Sequence, residues 1–126
     1  MVRAIIIDDE PKGINTLKLL IEKYTSGLTI VATATESEEG IAIIEEHKPE
    51  VIFLDLSMPK LSGFGLLQRL NYKNFKLVFT TAHEEYALKE IKNEAYEYLL
   101  KPIDIDELKV CLKKIFDKIQ REKYLG

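Results

Sequence analysis

The fold is decided by the stretch Val2-Arg3-Ala4-Ile5-Ile6-Ile7-Asp8-Asp9, a β-branched apolar run that ends in two adjacent carboxylates. Four further short apolar runs lie at residues 28–34, 51–54, 76–80 and 96–100. The first, third and fourth runs are continuously apolar, which is typical of strands that are buried on both faces. Longer segments with helical spacing separate the runs, and this alternation predicts a parallel sheet covered by helices.

Five segments carry apolar residues at helical spacing. The first begins near Pro11, which suits a first helical turn, and the second ends before Lys48-Pro49. The third and fourth are predicted at 64–70 and at about 84–93. The last helix has an apolar stripe made of Ile105, Leu108, Leu112, Ile115, Phe116 and Ile119. With right-handed crossovers, these units predict a flavodoxin-like, doubly wound α/β fold with five parallel strands in the order 2-1-3-4-5 and five helices on its two faces.

The composition limits the class of protein. The chain has 126 residues, which suit one domain at 1–119 followed by a helix end or the start of a linker at 120–126. Cys111 is the only cysteine, so a disulfide framework is excluded and a reducing, cytoplasmic location is expected. No apolar run has the length of a membrane helix. The excess of 21 acidic over 18 basic residues argues against direct nucleic-acid contact by this domain.

Polar residues follow the strands at the predicted switch point of the sheet, where the winding direction reverses. The first strand leads into Asp8 and Asp9, the third into Asp55, the fourth into Thr81 and the fifth into Lys101. In doubly wound sheets, ligands bind outside the carboxyl ends of the strands at this point. The sequence therefore predicts that these side chains share one edge of the sheet.

Three neighbouring carboxylates repel one another unless a cation lies among them, and Mg²⁺ with oxygen ligands fits best. Asp8 and Asp9 form a chelating pair, whereas Asp55 stands alone after a buried strand, so Asp55 is interpreted as a nucleophile that forms an aspartyl phosphate. Lys101 can place a positive charge on the transferred phosphoryl oxygens, and the Thr81 hydroxyl can donate a hydrogen bond to them. The pattern favours phosphoryl transfer.

Four separated motifs carry a family resemblance. The motifs are Asp8-Asp9, Asp55 with Met58-Pro59, Thr81-Ala82 and Lys101-Pro102. In this order they resemble the receiver domain of bacterial two-component response regulators, over essentially the whole of residues 3–119. More narrowly, the segments at 79–88 and 96–102 are similar to receivers that precede LytTR-type DNA-binding domains.

The resemblance implies roles for individual residues. Asp9, Asp55 and the backbone carbonyl of Ser57 would ligate Mg²⁺ directly, and Asp8 would act largely through water. Thr81 would follow the phosphoryl group, and Tyr98 would change rotamer with it. Lys101 and Pro102 would be joined by a cis peptide bond that aims the lysine.

The resemblance also implies a function and partners. The chain would accept a phosphoryl group from a sensor histidine kinase and act as a switch in transcription regulation, without being an enzyme in the ordinary sense. Phosphorylation would control an output domain after Gly126 or a homodimer formed through the predicted helix at 84–93, the fifth strand and the last helix. DNA would be contacted only by the output domain, and no membrane partner is expected.

Other functions are compatible with parts of this sequence and compete with the receiver-domain interpretation. A haloacid-dehalogenase-like, Mg²⁺-dependent phosphatase also uses an aspartate nucleophile, but it expects a second acid two residues later, where this chain has Ser57. A flavodoxin-like nucleotide binder needs a phosphate-binding turn after the first strand, and Asp8-Asp9-Glu10 would repel a phosphate. A silent receiver, which binds without phosphotransfer, usually lacks one of the site residues, and here all of them are present. Taken singly, the acidic turn and Lys101 could simply be solvated surface residues, and Tyr98 could serve only for packing. The phosphoryl-transfer hypothesis therefore depends on the placement of the polar residues at one edge of the sheet.

Overall fold

The computed structural model describes residues 1–58, 63–83 and 97–125. The five strands are β1 (Val2–Ile7), β2 (Leu28–Ala34), β3 (Val51–Asp55), β4 (Lys76–Thr81) and β5 (Glu97–Leu100). Four helices lie within this part of the chain: α1 (Pro11–Tyr24), α2 (Ser37–His47), α3 (Gly63–Arg69) and α4 (Ile105–Leu125). The predicted helix at 84–93 and the first residue of the predicted fifth strand, Tyr96, lie outside the described residues.

The strands form one sheet in the order β2-β1-β3-β4-β5. Every neighbouring pair is parallel. The predicted strand order and the doubly wound fold are therefore confirmed. β3 lies in the middle of the sheet, and all five of its residues are buried.

Alternate residues of the central strands enter two different apolar layers. Ala4 and Phe53 pack with α1 and α4 on one face of the sheet. Ile5 and Leu54 pack with α2 and α3 on the other face. Because both faces are covered, β1 and β3 carry apolar residues at successive positions. Burial of a side chain such as Phe53 stabilises the fold by about 1.5–3 kcal/mol relative to an exposed position.

The limits of β3, β4 and α3 each differ from the prediction by one residue. β3 extends through Asp55 and β4 extends through Thr81, because Asp55 pairs with Thr80 and Thr81 pairs with Leu100. Both polar residues thus belong to the sheet ladder itself. α3 begins and ends one residue earlier than predicted. Pro11 is the first residue of α1, as expected.

The connections between elements are held by backbone geometry and side-chain hydrogen bonds. Gly27, between α1 and β2, has a φ of +89°, which an L side chain rarely adopts. Tyr72, between α3 and β4, places its hydroxyl 2.9 Å from the carbonyl oxygen of Pro49 and 2.7 Å from that of Asn74. This hydroxyl joins the start of β3 to the loop that leads into β4.

The C-terminal helix α4 continues to Leu125, beyond the apolar stripe that ends at Ile119. Its last turns form ion pairs between Glu122 and Lys76 and between Lys123 and Glu50. These pairs connect the end of the helix to the starts of β3 and β4. None of the helices in the described ranges combines the length and apolar character needed to cross a bilayer.

Candidate functional site

The carboxyl ends of four strands meet at one edge of the sheet. Asp8 directly follows β1, and Asp55 is the last residue of β3. Thr81 ends β4, and its carbonyl oxygen accepts a hydrogen bond of 2.8 Å from the backbone N–H of Lys101, the residue after β5. The parallel order of the strands brings these distant parts of the sequence together.

Three carboxylates form an acidic cluster at this edge. Asp8, Asp9 and Asp55 each offer one oxygen, and these oxygens all lie within 4.8 Å of one another. Asp8 and Asp55 are each 3% exposed, whereas Asp9 is partly buried. The structure therefore brings together the three carboxylates predicted from the sequence.

Backbone N–H groups orient two of these carboxylates. The N–H of Glu10 donates to Asp8 Oδ1 at 2.9 Å, and the N–H of Ser57 donates to Asp55 Oδ1 at 3.0 Å. In each case the donor lies two residues after the acceptor, which is the geometry of an Asx turn. The second oxygen of each carboxylate remains for other partners. The side chain of Ser57 is exposed.

Lys101 supplies the positive charge of the cluster. Its Nζ lies 2.7 Å from Asp8 Oδ2 and 3.7 Å from Asp55 Oδ2. Partial burial disfavours the ammonium ion, but the hydrogen bond to Asp8 and the charge of Asp55 outweigh this effect and raise the pKa of Lys101. The Lys101–Pro102 peptide bond is cis, which confirms the expectation from the family resemblance.

Asp55 holds its proton more strongly than an ordinary aspartate. Burial raises the pKa of Asp55 to about 6, and the Ser57 N–H and Lys101 oppose this shift. The charge of Asp8 and a hydrogen bond with Asp9 raise the pKa further. At neutral pH most of the Asp55 side chains are ionised, although the surroundings disfavour that charge. A cation among the carboxylates would reduce the repulsion between their negative charges.

The two threonines of β4 are both buried, with exposed fractions of 3% for Thr80 and 0% for Thr81. Thr81 Oγ1 accepts a hydrogen bond of 3.0 Å from the backbone N–H of His83. The hydroxyl proton of Thr81 remains for another acceptor. Thr81 thus lies at the carboxyl end of β4, beside the strand end that bears Asp55.

The structure does not bring Tyr98 to the acidic cluster. Within the described residues, Tyr98 makes no hydrogen bond to the three carboxylates, and 41% of it is exposed. It lines a groove beside α4 with Val110 and Lys114. A role for Tyr98 in the site would require its ring to move.

Gly13 is a residue of the site that the sequence motifs did not predict. A Cβ atom at this position would lie 2.6 Å from Asp8 Oδ2, so the carboxylate occupies the space where a side chain would begin. A glycine inside a helix is unfavourable relative to alanine, by about 1 kcal/mol. The presence of glycine inside a predicted helix could have pointed to this residue, because an unfavourable glycine often marks a close approach of other atoms.

The donor set of this site fits a divalent cation with oxygen ligands. The three carboxylates are hard oxygen donors, and they are close enough to share one ion. Within the described residues, the cluster contains no nitrogen or sulfur ligand of the kind that zinc and copper prefer. Mg²⁺ therefore fits these residues.

Comparisons with known proteins agree with this geometry. The family model described as the response regulator receiver domain matches residues 4–113. The transcriptional regulatory protein BtsR of Shigella flexneri is 35% identical over 116 residues, which cover 91% of this chain and 48% of BtsR. A response regulatory protein of Vibrio cholerae is 37% identical over 120 residues, which cover 94% of this chain and 46% of the relative.

A solved structure shows the same fold. The REC domain of AraT, a response regulator from Geobacillus stearothermophilus, superposes with a TM-score of 0.82 at 27% identity, over 97% of this chain and 98% of the AraT domain. The chain spans about half the length of the curated relatives it matches, 48% and 46%. From its family match and its fold, the chain belongs to the response regulator receiver domains, the signalling domains of two-component systems.

Proposed function

We propose that this chain is a phosphorylation-dependent switch that accepts a phosphoryl group on Asp55 from a sensor histidine kinase. The observation that carries the proposal is the position of Asp55. It is a buried carboxylate at the end of the central strand, 3.7 Å from the ammonium group of Lys101 and next to two further carboxylates. This arrangement combines a nucleophile, a positive charge and a set of cation ligands.

The reaction uses the second oxygen of Asp55. The Ser57 N–H donates a hydrogen bond to Oδ1 of Asp55. The other oxygen, Oδ2, lies 3.7 Å from Nζ of Lys101. Oδ2 forms a bond to phosphorus while the P–N bond of the donor phosphohistidine breaks, and that electron pair leaves with the imidazole nitrogen. Without a bound metal, burial raises the pKa of Asp55 to about 6, so the carboxylate is still mainly ionised at neutral pH. The ionised carboxylate is the form that can attack phosphorus.

Asp8, Asp9, Asp55 and the carbonyl group of Ser57 would hold Mg²⁺, with Asp8 acting largely through water. When bound, Mg²⁺ neutralises charge on the transferred group. Lys101 is positioned to exchange part of its contact with Asp8 for a phosphoryl oxygen. The Thr81 hydroxyl would donate to another oxygen, and Tyr98 would follow Thr81 inward.

The name of one relative supports a proposal for the output of the switch. BtsR is named a transcriptional regulatory protein, and the matched region covers 48% of its length. We therefore infer that this receiver regulates transcription in the cytoplasm through an output segment, with DNA contacted only by that segment, and that a LytTR-type output is the most compatible one. A homodimer through β5 and α4, together with the region at 84–93, is the second part of this proposal.

The phosphatase alternative is not favoured. Leu56 and Ser57 follow Asp55, so the second acid expected of a haloacid-dehalogenase-like enzyme is not present at its position. The family match to receivers covers the same residues.

Labelling with a small phosphodonor tests the proposal. The protein is incubated with Mg²⁺ and acetyl phosphate, and its intact mass is measured. We expect the mass of one phosphoryl group to be added, and we expect Asp55→Asn to abolish the addition while the exposed control Asp117→Asn retains it. An unchanged mass of the parent, or equal labelling of Asp55→Asn, would overturn the proposal.

A further inference from the structure

We propose that Gly13 is a positioning residue of this site, which acts by leaving space for the carboxylate of Asp8. The inference rests on the proposed function, because it concerns how the acidic cluster and Lys101 are arranged for Mg²⁺ and for the phosphoryl group. Gly13 lies in the first turn of α1 and itself has no group that could contact either ligand. Its effect must therefore pass through Asp8.

The contact between the two residues is unusually close. A Cβ atom at residue 13 would lie 2.6 Å from Asp8 Oδ2 and 3.2 Å from Asp8 Cγ. In real structures, a Cβ atom essentially never lies within 3.0 Å of a heavy atom outside its own and the adjacent residues. Either the carboxylate or the helix would therefore have to move. Even the smallest side chain, that of alanine, would force this displacement.

The carboxylate of Asp8 has little freedom to move without losing its partners. Its Oδ1 accepts the N–H of Glu10 at 2.9 Å, and its Oδ2 accepts the ammonium group of Lys101 at 2.7 Å. Asp8 is also 3% exposed, so solvent does not offer a second position. The oxygen that a Cβ at residue 13 would meet is the same oxygen that binds Lys101.

Backbone conformation does not require glycine at this position. Gly27 has a positive φ, whereas Gly13 does not, and Gly13 lies in the first turn of α1, where its N–H donates to the carbonyl of Glu10, three residues earlier, at 2.9 Å. Alanine would be favoured there by helix propensity. The space taken by Asp8 is thus the feature of the structure that favours glycine.

The position of Asp8 determines which carboxylate Lys101 contacts most closely. With Asp8 in its present position, Nζ of Lys101 is 2.7 Å from Asp8 and 3.7 Å from Asp55. Lys101 is therefore held near Asp55 Oδ2 without forming a short hydrogen bond to it. Displacing Asp8 would release Lys101 toward Asp55 and would disturb the ligand set of the cation.

A double-mutant cycle in the absence of metal tests whether Gly13 acts through Asp8. The variants are Gly13→Ala, Asp8→Ala and the pair combined. In the Asp8→Ala background we expect Gly13→Ala to raise Tm by about 3 °C, because only helix propensity is left to act. With Asp8 present, we expect Gly13→Ala to give no gain or a decrease. The backbone amide resonance of Glu10, which reports its hydrogen bond to Asp8, should shift in Gly13→Ala.

Calorimetric titration with Mg²⁺ gives the functional readout. We expect Gly13→Ala to weaken binding by about tenfold, as is common when a group that orients a ligand is changed. Gly40→Ala is the matched control: its Cβ would lie 2.9 Å from Ile7 Cδ1, so apolar atoms must move, and Tm should fall while Mg²⁺ affinity is retained.

The outcomes separate the two proposals. If the parent binds Mg²⁺ and Gly13→Ala binds it equally well, or if Gly13→Ala changes Tm equally in both backgrounds, the role of Gly13 is refuted. If the parent itself does not bind Mg²⁺, the proposed function fails, and the metal-free cycle and the Glu10 resonance still decide whether Gly13 positions Asp8.

Discussion

Replacing Asp55 by asparagine should stabilise the metal-free protein at high pH. The surroundings raise the pKa of Asp55 from 3.8 to about 6, mainly because the carboxylate is buried. A raised pKa means that the folded state disfavours the charged form. Asparagine has the same shape and still accepts the Ser57 N–H through its oxygen, but it carries no charge that burial can penalise.

The magnitude follows from the two pKa values. Since one pKa unit corresponds to 1.36 kcal/mol, a rise from 3.8 to about 6 makes the ionised Asp55 unfavourable by up to about 3 kcal/mol. The sign follows from proton linkage. The penalty is absent below the unfolded pKa near 3.8, grows as pH rises toward 6, and is constant above that. The expected gain from Asp55→Asn is therefore about 3 kcal/mol at pH 8 and about 1.6 kcal/mol at pH 5.

Urea unfolding followed by circular dichroism measures this difference. The parent, Asp55→Asn and the exposed control Asp117→Asn are compared without Mg²⁺ at pH 5 and pH 8. The control should change the free energy of unfolding equally at both values. If Asp55→Asn is not more stable than the parent at pH 8, or if its gain does not shrink at pH 5, the surroundings of Asp55 do not disfavour its charge and the reasoning is wrong.

Three further predictions concern the cluster and the core. Lys101→Met removes the ammonium group that contacts Asp8 and Asp55, so the free energy of unfolding at pH 7.5 should fall by about 3 kcal/mol in urea, and added Mg²⁺ should restore part of it. Mg²⁺ binding competes with the proton on Asp55, so calorimetry should show weaker binding below pH 6 than at pH 8; equal affinity would contradict the raised pKa. Tyr72→Phe removes the hydroxyl near the Pro49 and Asn74 carbonyls and should cost about 1 kcal/mol in the same urea assay, whereas a loss near zero would show that water replaces it.

Much of the fold was predictable because burial on both faces leaves a clear pattern. The continuous apolar runs of β1 and β3 indicate a parallel sheet, and right-handed crossovers then limit the strand order. Asp8, Asp55 and Lys101 could be placed at one edge from this topology alone, since each follows or ends a strand. Their proximity required no knowledge of side-chain conformation.

The rest depends on distances that no sequence pattern encodes. The preference of Lys101 for Asp8 over Asp55 is a difference between 2.7 and 3.7 Å, which side-chain rotamers decide. The exposure of the Tyr98 side chain is likewise a feature that the apolar pattern of β5 does not encode. The continuation of α4 past Ile119 is accompanied by ion pairs with Lys76 and Glu50, which are distant in sequence. A periodicity that fades at Ile119 does not reveal these partners.

The order of the site residues along the chain has a consequence for biosynthesis. Asp8, Asp9 and Asp55 emerge from the ribosome well before Lys101, whose ammonium group lies 93 residues from Asp8 in sequence yet 2.7 Å from it in space. The contact between Lys101 and Asp8 therefore depends on the pairing of β5 with β4, which places Lys101 at this edge of the sheet. A fragment that ends before residue 101 lacks the ammonium group that lies beside Asp8 and Asp55.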